Sequence, residues 1–306
     1  MRVLRGHSVA VASPTVLTIG NFDGVHRGHL ALLERLRQVA VSERLMPAVL
    51  TFEPHPREFF APAAAPARLA ILREKLELLA TQGVEATMIC RFNAALASLS
   101  AEEFVREILV GALSVRHLII GDDFRFGRSR AGDFALLRAM GQQLGFAVEA
   151  MPEVTVKGER VSSSAVRESL EAGEMERAAR LLGRPYIIDG KVVHGNKLGR
   201  ELGFRTANIY IRHNPLPMTG VFAVEVAGLA DVPLPGVANL GVRPTIGGLR
   251  PLLEVHIFDF DRNIYGSHLA VRFMHKLRDE HKFPDVDALK AQIARDAQAA
   301  RQYFER

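Results

Sequence analysis

The chain of 306 residues has one cysteine, no tryptophan and only four tyrosines. A single cysteine excludes an internal disulfide framework and points to a reducing compartment, the cytoplasm. Cys90 follows Met88 and Ile89 in an apolar run that reads as a strand, so its expected place is the core. No stripe of basic residues interleaved with aromatics occurs, so nucleic acid is not an expected partner. The 39 basic and 34 acidic residues are dispersed, and their formal balance of +5 suits small anionic ligands. No apolar run reaches the length of a membrane span, and no membrane partner is expected. Arg2 and Arg5 ahead of Val9–Ala12 imitate a signal peptide, but Pro14 breaks the run just before a strand, so export is not expected. Oligomeric state is not legible in the sequence.

What is present is an apolar content of 48%, enough to bury one large core or two ordinary ones. The first half alternates strand-like and helix-like runs: strand Val16–Gly20, helix Gly28–Ser42, strand Ala48–Phe52, helix Leu69–Gln82, strand Ala86–Cys90, helix Ala101–Leu109 and strand His117–Ile120. That order predicts a parallel sheet covered by helices, with ligands at the carboxyl ends of its strands. From Ile187 onward short strand-like runs separated by turn residues predict a closed antiparallel barrel. Pro284 and Asp285 then open a last amphipathic helix. The boundary is placed at 184/185, giving domains 1–184 and 185–306.

The most informative stretch is Gly20-Asn21-Phe22-Asp23-Gly24-Val25-His26-Arg27-Gly28-His29. It carries an apolar strand through a tight turn into a helix, and so delivers two histidines to a helix start. Unpaired N–H groups and the positive end of the dipole favour an anion there, and Gly28 lets the backbone come close. A histidine pair at a helix start is also an ordinary cap, and zinc is a further option that lacks a third ligand of suitable spacing. Other polar residues fall at strand ends too: Asn21, Asp23, His55, and Asp123 in Gly121–Gly127. In Arg160-Val161-Ser162-Ser163-Ser164-Ala165-Val166-Arg167 the serines can cap a helix, and Arg167 can neutralise a phosphate one turn in.

In the second half, Gly195-Asn196-Lys197-Leu198-Gly199-Arg200 spaces glycines and cations as a phosphate loop would, although glycine-rich hairpins are common in barrels. Glu254 alternates with apolar Leu253 and Val255. It is either a general base or an ordinary outward carboxylate.

Together these segments resemble the bacterial riboflavin kinase/FMN adenylyltransferase (FAD synthetase) family, and His26-x-Gly28-His29 is similar to the His-x-Gly-His signature of nucleotidylyltransferases. The resemblance runs from about Val16 to Tyr303 and includes Gly241-Val242-Arg243-Pro244-Thr245, Glu254–Phe260, Tyr265-Gly266 and Arg278-Asp279-Glu280. It implies a Rossmann-like α/β nucleotidylyltransferase domain and a riboflavin kinase-like β-barrel with a terminal helix. ATP, riboflavin and FMN are the implied substrates, and Mg²⁺ the implied metal. His26 and His29 would be catalytic in adenylyl transfer, with Gly20, Asn21, Phe22, Asp23, Gly28, Asp123, Arg160, Ser163, Ser164 and Arg167 on ATP. Glu254 would be the kinase base, Gly195, Lys197, Gly199, Thr206 and Asn208 would hold kinase ATP, and Arg278 would bind flavin. Thr206 and Asn208 share a strand face and would be the Mg²⁺ ligands. The chain departs from the family in one place: Arg205 stands where Pro-Thr-Ala-Asn has its proline. The alternative expectations are a chain with adenylyl transfer alone, its kinase site impaired by Arg205, and a non-catalytic flavin or nucleic-acid sensor.

Overall fold

A computed structural model describes the chain except residues 7–10, 122, 195–203, 213–214, 246–247 and 306. The glycine loop with Gly195, Lys197 and Gly199 lies outside the described residues, as do Val9 and Asp122. The chain divides into two compact units: residues 1–66 with 72–161, and residues 67–71 with 162–306.

The first unit is a six-stranded parallel sheet in the order β1-β4-β3-β2-β5-β6. Its elements are β1 (Arg2–Arg5), β2 (Thr15–Ile19), α1 (Arg27–Glu43), β3 (Met46–Glu53), α2 (Pro56–Phe60), α3 (Leu72–Thr81), β4 (Ala86–Arg91) and α4 (Ala94–Ser98). They continue with α5 (Ala101–Glu103), which runs on as a π-helical stretch (Phe104–Ala112), then β5 (Val115–Gly121), α6 (Phe134–Leu144), β6 (Ala147–Met151) and a short hairpin, β7 (Thr155–Val156) and β8 (Glu159–Arg160). The inner strands are buried on both faces, as expected of a parallel sheet between helix layers; every residue of β2 is buried. One core, containing Leu17, Leu50, Met88 and Leu118, lies under the 101–112 helix. Another, with Val16, Val49 and Ile119, lies under Leu33 and Leu36 of α1. Cys90 is in the first of these, and burial pushes its thiol pKa up to about 12. That is the place of a core residue, as its apolar neighbours suggest.

The second unit opens with α7 (Ser163–Glu171) and α8 (Met175–Leu182), and Gly183 closes α8 in the left-handed region. Six antiparallel strands follow: β9 (Tyr186–Val193), β10 (Ala207–Tyr210), β11 (Gly220–Ala227), β12 (Leu234–Thr245), β13 (Gly248–Ile257) and β14 (His268–Arg278). They close into a barrel in the order β10-β13-β12-β11-β14-β9, with β9 returning to β10. Ile188, Ile209, Phe222, Ala238, Val255 and Phe273 are buried, while Val221, Ala223 and Val237 pack against Ala297 and Ala300 of α9 (Val286–Phe304). Asp285 caps α9 by accepting the Ala288 N–H at 2.7 Å.

Candidate active sites

In the first unit, β2 ends at Ile19 and the chain turns through three residues of positive φ: Phe22 (49°), Gly24 (80°) and Val25 (41°). A β-branched residue in that region is strained, and the strain is held by the complete burial of Phe22 and Val25. Gly20 leaves room for the Phe22 ring, which would lie 3.1 Å from a Cβ there. The turn thereby places His26 as the N-cap of α1, where its Nδ1 accepts the His29 N–H at 3.3 Å. The two imidazoles stack with ring centres 3.7 Å apart, and Phe22 lies 4.8 Å from the His29 ring. A Cβ on Gly28 would sit 3.2 Å from the His26 ring, so glycine lets the stack form.

Both rings border a cleft of about 220 Å³ lined also by Gly20, Phe22, Gly28, Asp123, Phe124, Glu153, Arg160 and Val161. It lies where β2 and β5 end, at the carboxyl edge of the sheet. Arg160 bridges Asp123 at 3.1 Å and Glu153 at 2.8 Å. Burial, then His26, then Lys75 hold the His29 imidazole well below its ordinary pKa. His29 is therefore neutral at pH 7. His26 uses the Nδ1 lone pair as an acceptor, so a neutral His26 carries its proton on Nε2.

Seven of the expected residues thus meet in one cleft. Asn21 and Asp23 do not line it: the Asn21 carbonyl accepts the Thr51 hydroxyl at 3.3 Å, and Asp23 is only 4% exposed. Lys75, in the first turn of α3 and 4% exposed, adds positive charge near His29. It has no local signature in the sequence, because a lysine in an amphipathic helix reads as solvent-facing.

In the second unit Ser162 caps α7 by accepting the Ala165 N–H at 3.1 Å, Ser163 and Ser164 form its first turn, and the Arg167 Nε donates to the Ala67 carbonyl at 2.6 Å. In the barrel, strand register aligns one row of residues: Val193, Asn208, Glu254, Asn239, Val221 and Arg278. Directly opposed residues share a face, so this row joins the expected metal ligand, base and flavin residue on the outer side of the barrel. Arg278 forms a bidentate pair with Asp296 of α9 (2.7–3.1 Å), donates to the Asp279 carbonyl and lies 5.7 Å over the Phe283 ring.

A second cleft, of about 280 Å³, is lined by Arg205, Thr206, Asn208, Val255, Asp261, Arg262 and Tyr265. Arg205 is exposed at its rim. Its carbonyl accepts the His256 Nδ1–H at 2.8 Å, and its guanidinium reaches the Asp261 carbonyl at 3.4 Å. Thr206 and Asn208 offer the neutral oxygens that a hard cation takes alongside phosphates. Among the described residues no cluster of three His, Cys, Asp or Glu could hold a metal by itself. No helix among them is long and apolar enough to cross a membrane.

The FAD synthetase family model matches residues 8–165, and the riboflavin kinase model matches residues 182–304. A bifunctional riboflavin kinase/FMN adenylyltransferase of Escherichia coli K12 is 48% identical over 307 aligned residues, covering 99% of this chain and 98% of the relative. One from Pseudomonas fluorescens is 50% identical, covering 94% of this chain and 92% of that one. A solved structure from Streptococcus pneumoniae, titled as a macrolide-efflux protein, superposes with a TM-score of 0.85 at 28% identity, covering 98% of this chain and 99% of its own.

Proposed function

Because the chain belongs to the bifunctional riboflavin kinase/FMN adenylyltransferase family, we propose that it makes FAD from riboflavin in two ATP-dependent steps, in the cytoplasm. We assign adenylyl transfer to residues 1–184 and phosphorylation to residues 185–306. The two family matches support that division, and so does the Gly183 helix stop. By packing, α7 and α8 belong to the second unit; we keep them with the first by chemistry.

For adenylyl transfer, the FMN phosphate attacks the α-phosphorus of ATP and pyrophosphate leaves. The nucleophile is already anionic and needs no base, so the protein's task is to stabilise charge on the departing group. The stacked His26–His29 pair at the start of α1 carries this reading. The two imidazoles donate N–H bonds to the pyrophosphate, and the helix start adds its own N–H groups. Gly20, Phe22, Gly28, Asp123 and Arg160 shape the nucleotide cleft, and Asn21 and Asp23 support its turn from beneath. Ser163, Ser164 and Arg167 are assigned to the triphosphate by their match to the family motif.

For phosphorylation, Glu254 accepts the proton of the riboflavin 5′-hydroxyl as that oxygen attacks the γ-phosphorus of ATP. Thr206 and Asn208 would hold Mg²⁺, which would supply neutralisation of phosphate charge. Gly195, Lys197 and Gly199 are assigned to the phosphates by sequence alone, and Arg278 to the flavin. Incubating the purified protein with riboflavin, ATP and Mg²⁺ and separating the flavins by chromatography tests the whole reading. FMN followed by FAD is expected; absence of FMN removes the kinase assignment, and failure to convert supplied FMN removes the other.

A further inference from the structure

Asn239 lies on β12 between Glu254 and Val221 in the barrel row, and its Oδ1 is shut off from solvent with no hydrogen-bond partner. A buried carbonyl oxygen left in that state is costly unless a ligand satisfies it. The residues aligned with it across the strands, and its neighbours along β12, do not do so. Val221 and Val237 are apolar. Gly241, two residues along, has no side chain, and the Glu280 carboxylate occupies the space where its Cβ would be. Glu254 and Glu280 are acceptors when ionised, as is the oxygen itself. His256, diagonal to Asn239, directs its Nδ1–H to the Arg205 carbonyl, and Arg278 is engaged with Asp296. Among the described residues none is shown donating to this oxygen, which lies beside the carboxylate assigned as base.

We propose that Asn239 is a substrate-orienting residue of the kinase site, its Oδ1 accepting a hydrogen bond from a hydroxyl of riboflavin's polyol chain. The assignment rests on the kinase reading above and deepens it. A polyol fits because its hydroxyls can donate to the Asn239 oxygen and to the carboxylates beside it. Holding one chain hydroxyl at Asn239 fixes where the terminal hydroxyl falls relative to Glu254, so the effect is on positioning.

The test uses the full chain and steady-state riboflavin phosphorylation, with lumiflavin, which has the ring but no polyol, as competitive inhibitor. Asn239→Ala is expected to raise the KM for riboflavin about tenfold, the size of one lost hydrogen bond, and to leave the Ki of lumiflavin unchanged. FMN adenylylation by the same preparation should match the wild type, which reports intact folding of that unit. Asn239→Asp keeps the acceptor, so its riboflavin KM should stay within about threefold of wild type. Its acid limb should move to higher pH, because a second carboxylate beside Glu254 disfavours ionisation. An unchanged KM in Asn239→Ala, or a KM and a lumiflavin Ki that rise together, overturns the proposal. A wild-type chain that forms no FMN overturns the kinase reading itself, a result distinguishable from either.

Discussion

Substituting Glu254 by Gln removes the proton acceptor while keeping shape. Riboflavin phosphorylation should fall by about 10²–10⁴-fold, because positioning and charge neutralisation remain. FMN adenylylation should be untouched, and product chromatography from each starting flavin reads both. His29 makes a pH prediction. Its folded pKa lies below its unfolded value near 6.5. Above that value both states are neutral. As pH falls below it the unfolded chain takes up a proton that the folded chain resists, so stability is lost from about pH 6.5 downward, toward the folded pKa. The His29 ring proton signals should stay flat through pH 6 in an NMR titration, and the acid-side loss of stability should be smaller in His29→Asn. At Arg205 the carbonyl is pinned by His256 and the expected metal ligands still share a face. Restoring proline, Arg205→Pro, should therefore give no gain in the rate of phosphorylation; a large gain would mark the arginine as an impairment. The place of His26 and His29 at a helix start was legible because the motif is local, whereas Glu254 was singled out by the family resemblance. Asn239 was not legible, since its meaning lies in which residue faces it across β12 and β13. Lys75 was hidden by its helix, and the core position of Asp23 by the turn around it.

At the scale of elements, the terminal helix is fastened to the barrel by Arg278 and Asp296, the latter only 6% exposed. Asp296→Ala leaves a largely buried guanidinium without its counter-charge. It should cost about 2–3 kcal/mol, read as a lower denaturant midpoint for the barrel. The residues that build β2, α1, β3 and the six barrel strands announce themselves by apolar runs or by alternation. Others do not, and three of them show why. Arg2–Arg5 is a four-residue edge strand with two arginines, and Ala147–Met151 is a half-exposed edge strand with a glutamate at its centre. Edge strands bury little, so their pattern is weak. The helix Phe134–Leu144 is different: Asp133 caps it and Gly145 closes it in the left-handed region, signals present in the sequence. Its apolar stripe, centred on Leu137 and Met140, is short enough to pass for loop.

For the molecule as a whole, each compact unit has its own core and its own cleft. Two variants should therefore complement in solution. Glu254→Gln makes FMN only slowly, and His26→Asn converts FMN to FAD slowly. Mixed, they should produce FAD from riboflavin through FMN released into the buffer, at a rate that rises with the concentration of each. No FAD from the mixture, with each variant active in its remaining step, would mean that FMN never leaves its producer.

The outermost strand of the parallel sheet, Arg2–Arg5, pairs with Ala86–Ile89, more than eighty positions later in the chain. During synthesis this strand must wait, unpaired, for a partner made several seconds afterwards. That edge of the sheet therefore forms only after β2 and β3 have been made, although both follow Arg2–Arg5 in the chain.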